Sequence, residues 1–233
     1  MKLEGELVHA IFLERRSRFS VVVERKGEEF EAFLVNSGRL KEILVPGRRL
    51  LLRAVPNRSV QERRKTGFDV LGAFLDGSLV TIDSRLPNAL VKDALLGGNL
   101  REFRGYRLVK KEPAFGKGRF DFLLEPSCFL EVKGCTLVRD GVALFPDAPT
   151  LRGWRHLDEL ARAKRAGYRA CVIFVVQREG AKVFRPNWET DQAFAQALGE
   201  AIDVGVEAFA YASRCLSGEL MITRKLNLQA LKG

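Results

Sequence analysis

The sequence predicts an α/β (α+β) chain in two parts, a small all-β barrel of five or six strands over residues 1–82 and an α/β domain with a mixed sheet over residues 83–233. Three observations lead there. Up to residue 82 the apolar residues fall in short runs rich in β-branched and aromatic side chains, with no long helical period. After Asp83 helical stripes alternate with strand-like runs. Residues 170–177 (ACVIFVVQ) form one apolar run of the kind found in a strand buried on both faces.

In the first part, the segments at 6–14, 18–25, 28–35, 49–55, 69–76 and 78–83 read as strands. Turn signals separate them at Lys26-Gly27-Glu28, Pro46-Gly47 and Asp76-Gly77-Ser78. A helical turn or two fits residues 39–44. Closing five or six such strands into a barrel removes the sheet edges. Barrels of this type bind single strands on a basic, aromatic face. Phe19, Phe30 and Phe33 are either stacking platforms or, as alternation favours for Phe, core.

In the second part a helix starts at Leu86-Pro87 and stops at Gly97-Gly98. Strands are expected at 106–115, 119–125 and 129–138. Thr150 caps a helix running to Gly167, with Trp154, Leu157, Leu160 and Ala161 on one stripe. The apolar strand 170–177 follows, then a helix near 191–203 and strands at 206–214 and 219–228.

The chain of 233 residues carries 39 Lys+Arg against 29 Asp+Glu, a net charge of +10. The excess is Arg-rich and clustered: residues 48–65 hold seven bases and one acid, residues 101–119 seven bases and two acids. Such clusters point to DNA, single-stranded or duplex, as partner, and the alternative is a solvated basic surface. The residues expected to meet its backbone are Arg39, Arg48, Arg49, Arg53, Arg58, Arg63, Arg64, Lys117, Arg119, Arg152 and Arg155.

No apolar run approaches the ~20 residues a membrane span needs, and no leader is visible, so neither a membrane partner nor secretion is expected. Cys128, Cys135, Cys171 and Cys215 show no metal-finger spacing, and three of them lie in apolar strand-like runs. Reduced thiols and a cytoplasmic location are the expectation.

The chemistry concentrates on Asp121 and Glu131-Val132-Lys133. Strand periodicity puts Glu131 and Lys133 on one face, and a hairpin register can bring Asp121 beside Glu131. Two adjacent carboxylates repel unless a hard cation lies between them, and Mg²⁺ (or Mn²⁺) suits one or two carboxylates with phosphate oxygens. A nearby lysine can orient or deprotonate the attacking water. The competing reading is a plain cross-strand Glu131–Lys133 pair. Gln177, ending the apolar strand, either contributes an amide to the site or is an ordinary strand-end residue. His156 is read as a capping or packing residue before a base, and Asp83 as a helix cap as readily as a metal ligand.

Several blocks stand in a familiar order: Asn36-Ser37-Gly38-Arg39-Leu40, Asp83-Ser84-Arg85-Leu86-Pro87-Asn88, Arg119-Phe120-Asp121, Glu131-Val132-Lys133, and residues 145–160 (FPDAPTLRGWRHLDEL). Together they resemble the sugar fermentation stimulation protein A family, nearly end to end. The resemblance implies an OB-like N-terminal domain, a PD-(D/E)xK nuclease-like C-terminal domain, and DNA binding linked to sugar (maltose) utilisation. It implies Asp121, Glu131 and Lys133 as the nuclease-type triad, Asp121 and Glu131 as metal ligands, and Gln177 as their strand-end partner. Ser37, Gly134 and Gly116-Lys117-Gly118 depart from the family pattern.

Overall fold

The computed structural model describes residues 1–55, 66–116 and 118–231. Its contacts divide into two compact units, one of residues 1–86 with 214–220, the other of residues 87–213 with 221–233.

The first unit contains β1 (Leu7–Ser17), β2 (Ser20–Arg25), β3 (Glu28–Leu34), β4 (Arg49–Ala54), β5 (Phe68–Leu75) and β6 (Ser78–Thr81). β1, β2 and β3 form an antiparallel meander, and β1 also pairs antiparallel with β4. β4 pairs with β5, and β5 returns parallel to β3, which closes the five-stranded OB-like barrel. Register shifts after Phe12 and Arg15 bend β1 so that one strand serves two neighbours. Val8, Ala10, Phe12, Val21, Val23, Leu34, Leu50, Leu52 and Val70 fill the interior. The expected helical turn is a single turn: Ile43 and Leu44 N–H both bond to the Leu40 carbonyl, and Leu40 and Ile43 plug the barrel. Asp76 (φ 49°) and Gly77 (φ 79°) make the tight hairpin turn that Asp-Gly encodes.

Arg15 uses its whole guanidinium fork on main-chain carbonyls. Nε reaches Ser17 O (3.2 Å), Nη1 reaches Gly38 O (2.6 Å) and Arg39 O (2.9 Å), and Nη2 reaches Arg18 O (2.7 Å) and Asn36 O (3.2 Å). Asn36 accepts from Gly38 N–H and donates to Ile82 O, so the 36–39 loop is held from both sides.

The second unit opens with α1 (Leu86–Leu96) and a 3₁₀ turn (Arg101–Phe103), then β7 (Arg107–Lys111), β8 (Ala114–Phe115), β9 (Gly118–Arg119), β10 (Phe122–Glu125) and β11 (Cys128–Cys135). β12 (Val138–Arg139), β13 (Val142–Phe145), α2 (Leu151–Arg165), β14 (Arg169–Val176), β15 (Val183–Pro186), α3 (Gln192–Asp203), β16 (Glu207–Leu216) and β17 (Glu219–Leu228) follow. The sheet is mixed: β10 is antiparallel to β7 and β11, whereas β11, β14 and β16 run parallel. β14 is buried over nearly its whole length, as its apolar run requires. Phe129, Cys135, Val172, Phe174 and Val176 face Leu157, Leu160, Phe194 and Leu198 of the helices in one core.

Thr150 caps α2 by accepting Gly153 N–H at 2.9 Å. Asp191 caps α3 through Oδ1 on Phe194 N–H, while its Oδ2 accepts Thr150 N–H at 2.7 Å. One carboxylate therefore holds the starts of both helices. Trp154 is not on the buried stripe; it is 45% exposed, and Gly153 and Ala163 take that face with Leu157 and Leu160.

Three expectations change. Residues 106–115 do not form one strand: Glu112 has φ 48° and Pro113 has no N–H to give a ladder, so β7 ends and β8 begins anew. The expected strand 119–125 breaks at Phe120 and Asp121, which leave the ladder between β9 and β10. β12, β13 and β15 went unforeseen because two to four residues are too few to show alternation. Among the described residues, no helix is long and apolar enough to cross a membrane.

Candidate functional site

The break between β9 and β10 builds the site. Phe122 pairs with Leu130, so Asp121 lies across from Glu131, and freedom from the ladder lets its side chain turn to the β11 backbone. Asp121 Oδ2 accepts Val132 N–H at 2.7 Å, and Oδ1 accepts Asn88 Nδ2 of α1 at 2.6 Å. Glu131 is 2% exposed. Its Oε1 accepts from Lys133 Nζ at 2.5 Å and also from His156 Nδ1, which α2 brings in from its second turn. Nζ and Nδ1 are 3.1 Å apart. Glu131 Oε2 is buried and has no hydrogen-bond partner among the described residues.

The electrostatics follow from that packing. Burial, then the Glu131 charge, pushes Asp121 up to about 6, against the pull of Val132 N–H, Lys133 and Asn88. Burial works the same way on Glu131. The His156 hydrogen bond and the Lys133 charge outweigh it and hold Glu131 below its usual value.

Asp121, Glu131 and Lys133 therefore come together, as the spacing predicts. Gln177 is buried at the end of β14, its Oε1 2.8 Å from where a Cβ on Gly134 would stand. It lies against the side of β11 that Gly134 presents, opposite to Lys133 in the strand's alternation. Gly134 is thereby explained: a side chain there would press on Gln177 and on Pro87 Cγ, also 2.8 Å away.

His156, read from the sequence as a capping or packing residue, and Asn88, given no role there, are the further residues that the structure brings to the site. The signal for His156 was its spacing, i+4 and i+7 before the buried Leu160 and Ala163, which marks a polar side chain on a buried stripe. Asp83 is no metal ligand here. It accepts Arg85 N–H at 2.9 Å and takes the Arg85 guanidinium on both oxygens.

The basic residues separate by role. Arg39, Arg49, Arg119, Arg152 and Arg155 are exposed, and Arg48 is half-buried. Arg49 lies over the Phe74 ring at 4.2 Å. Arg53 is not a free surface cation: it faces Asp69 at 3.3 Å and Asp83 at 3.8 Å. Arg58, Arg63, Arg64 and Lys117 lie outside the described residues.

The barrel face built by β2 and β3 differs from the basic, aromatic face expected of it. Val21 and Val23 point inward, so Val22 and Glu24 point out, with Glu31 and Glu29 as their cross-strand partners. Phe30 packs with Phe68 against the interior, while half-buried Phe33 lies on the outward side of β3 beside Phe19, which is 44% exposed.

Comparison with known proteins covers almost the whole chain. Residues 85–218 match the family model described as the sugar fermentation stimulation protein RE domain, and residues 13–82 match the N-terminal OB domain of the same family. The chain belongs to the sugar fermentation stimulation protein family. A sugar fermentation stimulation protein homolog from Moorella thermoacetica is 47% identical over 219 residues, covering 92% of each chain. A homolog from Caldanaerobacter subterraneus subsp. tengcongensis is 42% identical over 234 residues, covering 99% of this chain and 100% of its own. Among solved structures, that of Pyrococcus furiosus SfsA in complex with Ca²⁺ matches with a TM-score of 0.89 at 33% identity, covering 98% of this chain and 99% of that one.

Proposed function

We propose that this protein binds DNA and hydrolyses its phosphodiester bonds with a divalent cation, Mg²⁺ or Mn²⁺, held by Asp121 and Glu131. One observation carries the reading: among the described residues Glu131 Oε2 is buried without a partner while its sister oxygen accepts two hydrogen bonds. An open carboxylate valence in the interior is costly, and a hard cation satisfies it. The residues present fit such an ion. The Ca²⁺ of the Pyrococcus furiosus relative is also a hard, oxygen-seeking cation, which supports the same chemistry here.

When bound, the cation supplies Lewis acidity to the phosphoryl group and lowers the pKa of coordinated water. The chain's own residues supply the rest. Asn88 and Val132 N–H fix both Asp121 oxygens in place. Lys133 Nζ is held on Glu131 Oε1 at 2.5 Å, next to the proposed cation, where it can orient the attacking water. Exposed Arg119, Arg152 and Arg155 offer charge-assisted contacts to backbone phosphates.

A second reading is a DNA-binding regulator of sugar (maltose) metabolism whose nuclease-like site is idle. It is favoured by the small donor set: among the described residues, no three His, Cys, Asp or Glu side chains are grouped to hold a metal. One panel separates the two. Single-stranded, duplex and branched DNA are incubated with Mg²⁺ or Mn²⁺, and cleavage is expected to disappear in Glu131→Ala and Lys133→Ala while DNA binding survives. Binding without cleavage of any substrate leaves the regulator.

A further inference from the structure

We propose that His156 is a positioning residue that divides the labour of the Glu131 carboxylate, taking Oε1 with Lys133 so that Oε2 is left for the cation. The inference rests on the cation reading above.

A buried carboxylate beside one lysine would be free to rotate and share both oxygens with the ammonium. Here two donors from different elements, Lys133 Nζ on β11 and His156 Nδ1 on α2, converge on the same oxygen. Two donors in fixed directions settle the carboxylate's rotation, and the outcome is the unpartnered Oε2. The ring is itself firmly held. Thr150 and Asp191 fix the start of α2, and the His156 side chain is 12% exposed. Its far nitrogen, Nε2, accepts from the Nε–H of Arg152 at 3.5 Å, which leaves Nδ1–H to donate to Glu131 Oε1. This is the arrangement by which a neighbour orients a metal-ligating side chain without touching the metal.

The test is calorimetric titration of Mn²⁺ and Ca²⁺ into the wild type, His156→Leu and His156→Asn, with cation-free thermal melts and DNA cleavage across Mn²⁺ concentrations. Asn carries a donor near the place of Nδ1; Leu carries none. His156→Leu is expected to weaken cation binding about 10- to 100-fold, and His156→Asn to recover most of it. Cleavage by His156→Leu should return towards the wild-type rate at saturating Mn²⁺, the loss residing in half-saturation. Equal cation affinity in wild type and both variants overturns the positioning role and leaves the cation site standing. So does a rate that stays low in His156→Leu at saturating cation. If His156→Leu does not fold, a His156→Asn protein that folds but binds cation 100-fold more weakly overturns the role. Failure of the wild type to bind either cation overturns the cation reading and this inference with it.

Discussion

Each unit of this molecule sets two acids side by side, and the two pairs are completed in opposite ways. In the barrel unit Asp69 and Asp83 are 2% and 0% exposed. The Arg85 Nη2 donates to Asp69 Oδ2 at 2.7 Å and to Asp83 Oδ2 at 2.6 Å, and Arg53 adds a second guanidinium at 3.3 Å from Asp69. Asp83, through its hydrogen bond, raises the Arg85 pKa above its usual value. In the other unit Glu131 is as enclosed, at 2% exposed, and Asp121 beside it is half-buried. They meet one lysine and one imidazole, and both of these bond the same oxygen. Two acids matched by two arginines are architecture. Two acids with a valence left open invite an ion, and the same residue types therefore mean different things according to what completes them.

The comparison can be broken most sharply at the open pair. Glu131→Ala or Lys133→Ala is expected to lower cation-dependent DNA cleavage by about 10²–10⁴-fold with DNA affinity nearly unchanged, as measured by cleavage rates and a binding titration. Activity retained in either variant would make this pair architectural too.

At the closed pair the damage should fall on stability instead. Asp83→Ala leaves Arg85 with Asp69 alone and is expected to cost about 2–3 kcal/mol in urea unfolding, below the usual cost of a broken buried pair because Arg85 keeps that partner and is half exposed. Cation affinity should not move. A loss of cation binding in that variant would dissolve the distinction between the pairs.

A pH series sharpens it further. Asp121 has a folded pKa of about 6 against 3.8, so the native state binds this proton more tightly than the unfolded chain. The resulting stabilisation is full below pH ~4 and is lost as pH rises through about 6. Without cation, wild type should lose up to about 3 kcal/mol relative to Asp121→Asn over that window, read from unfolding curves at each pH. Divalent cation at pH 7 should restore part of it in the wild type alone. Parallel stability profiles for the two proteins would remove the strain assigned to Asp121.

The smallest effects belong to the arginines. Arg152→Ala or Arg155→Ala should each lower the slope of log affinity against log salt by about 1, measured by DNA titration at several salt concentrations. Arg53→Ala should leave that slope alone and lower stability, because its partners are Asp69 and Asp83. A changed slope for Arg53→Ala would return it to the DNA-contacting set.

Much of this was legible in the chain. Alternation and turn residues mark the barrel strands, Thr150 marks the start of α2, and the Glu131-x-Lys133 spacing fixes a shared face. What escaped has a common physical cause: it depends on contacts between distant residues. Asn88 reaches Asp121 through tertiary packing, and the helical period puts His156 on the buried side of α2 without saying that Glu131 is what it meets there. Arg53 carries the same charge as Arg49, and nothing in the sequence says that one is spent on buried acids. Likewise the hairpin tip 214–220 belongs with the first unit, where Glu219 bridges Lys2 and Leu3 N–H bonds Gly218 O.

The Arg15 fork has one more consequence. By anchoring the carbonyls of Asn36, Gly38 and Arg39, it freezes the backbone that displays the exposed Arg39 side chain. The conformational entropy of that loop is surrendered once, during folding, and is not charged again at each encounter. An anion that meets Arg39 has only a side chain left to immobilise.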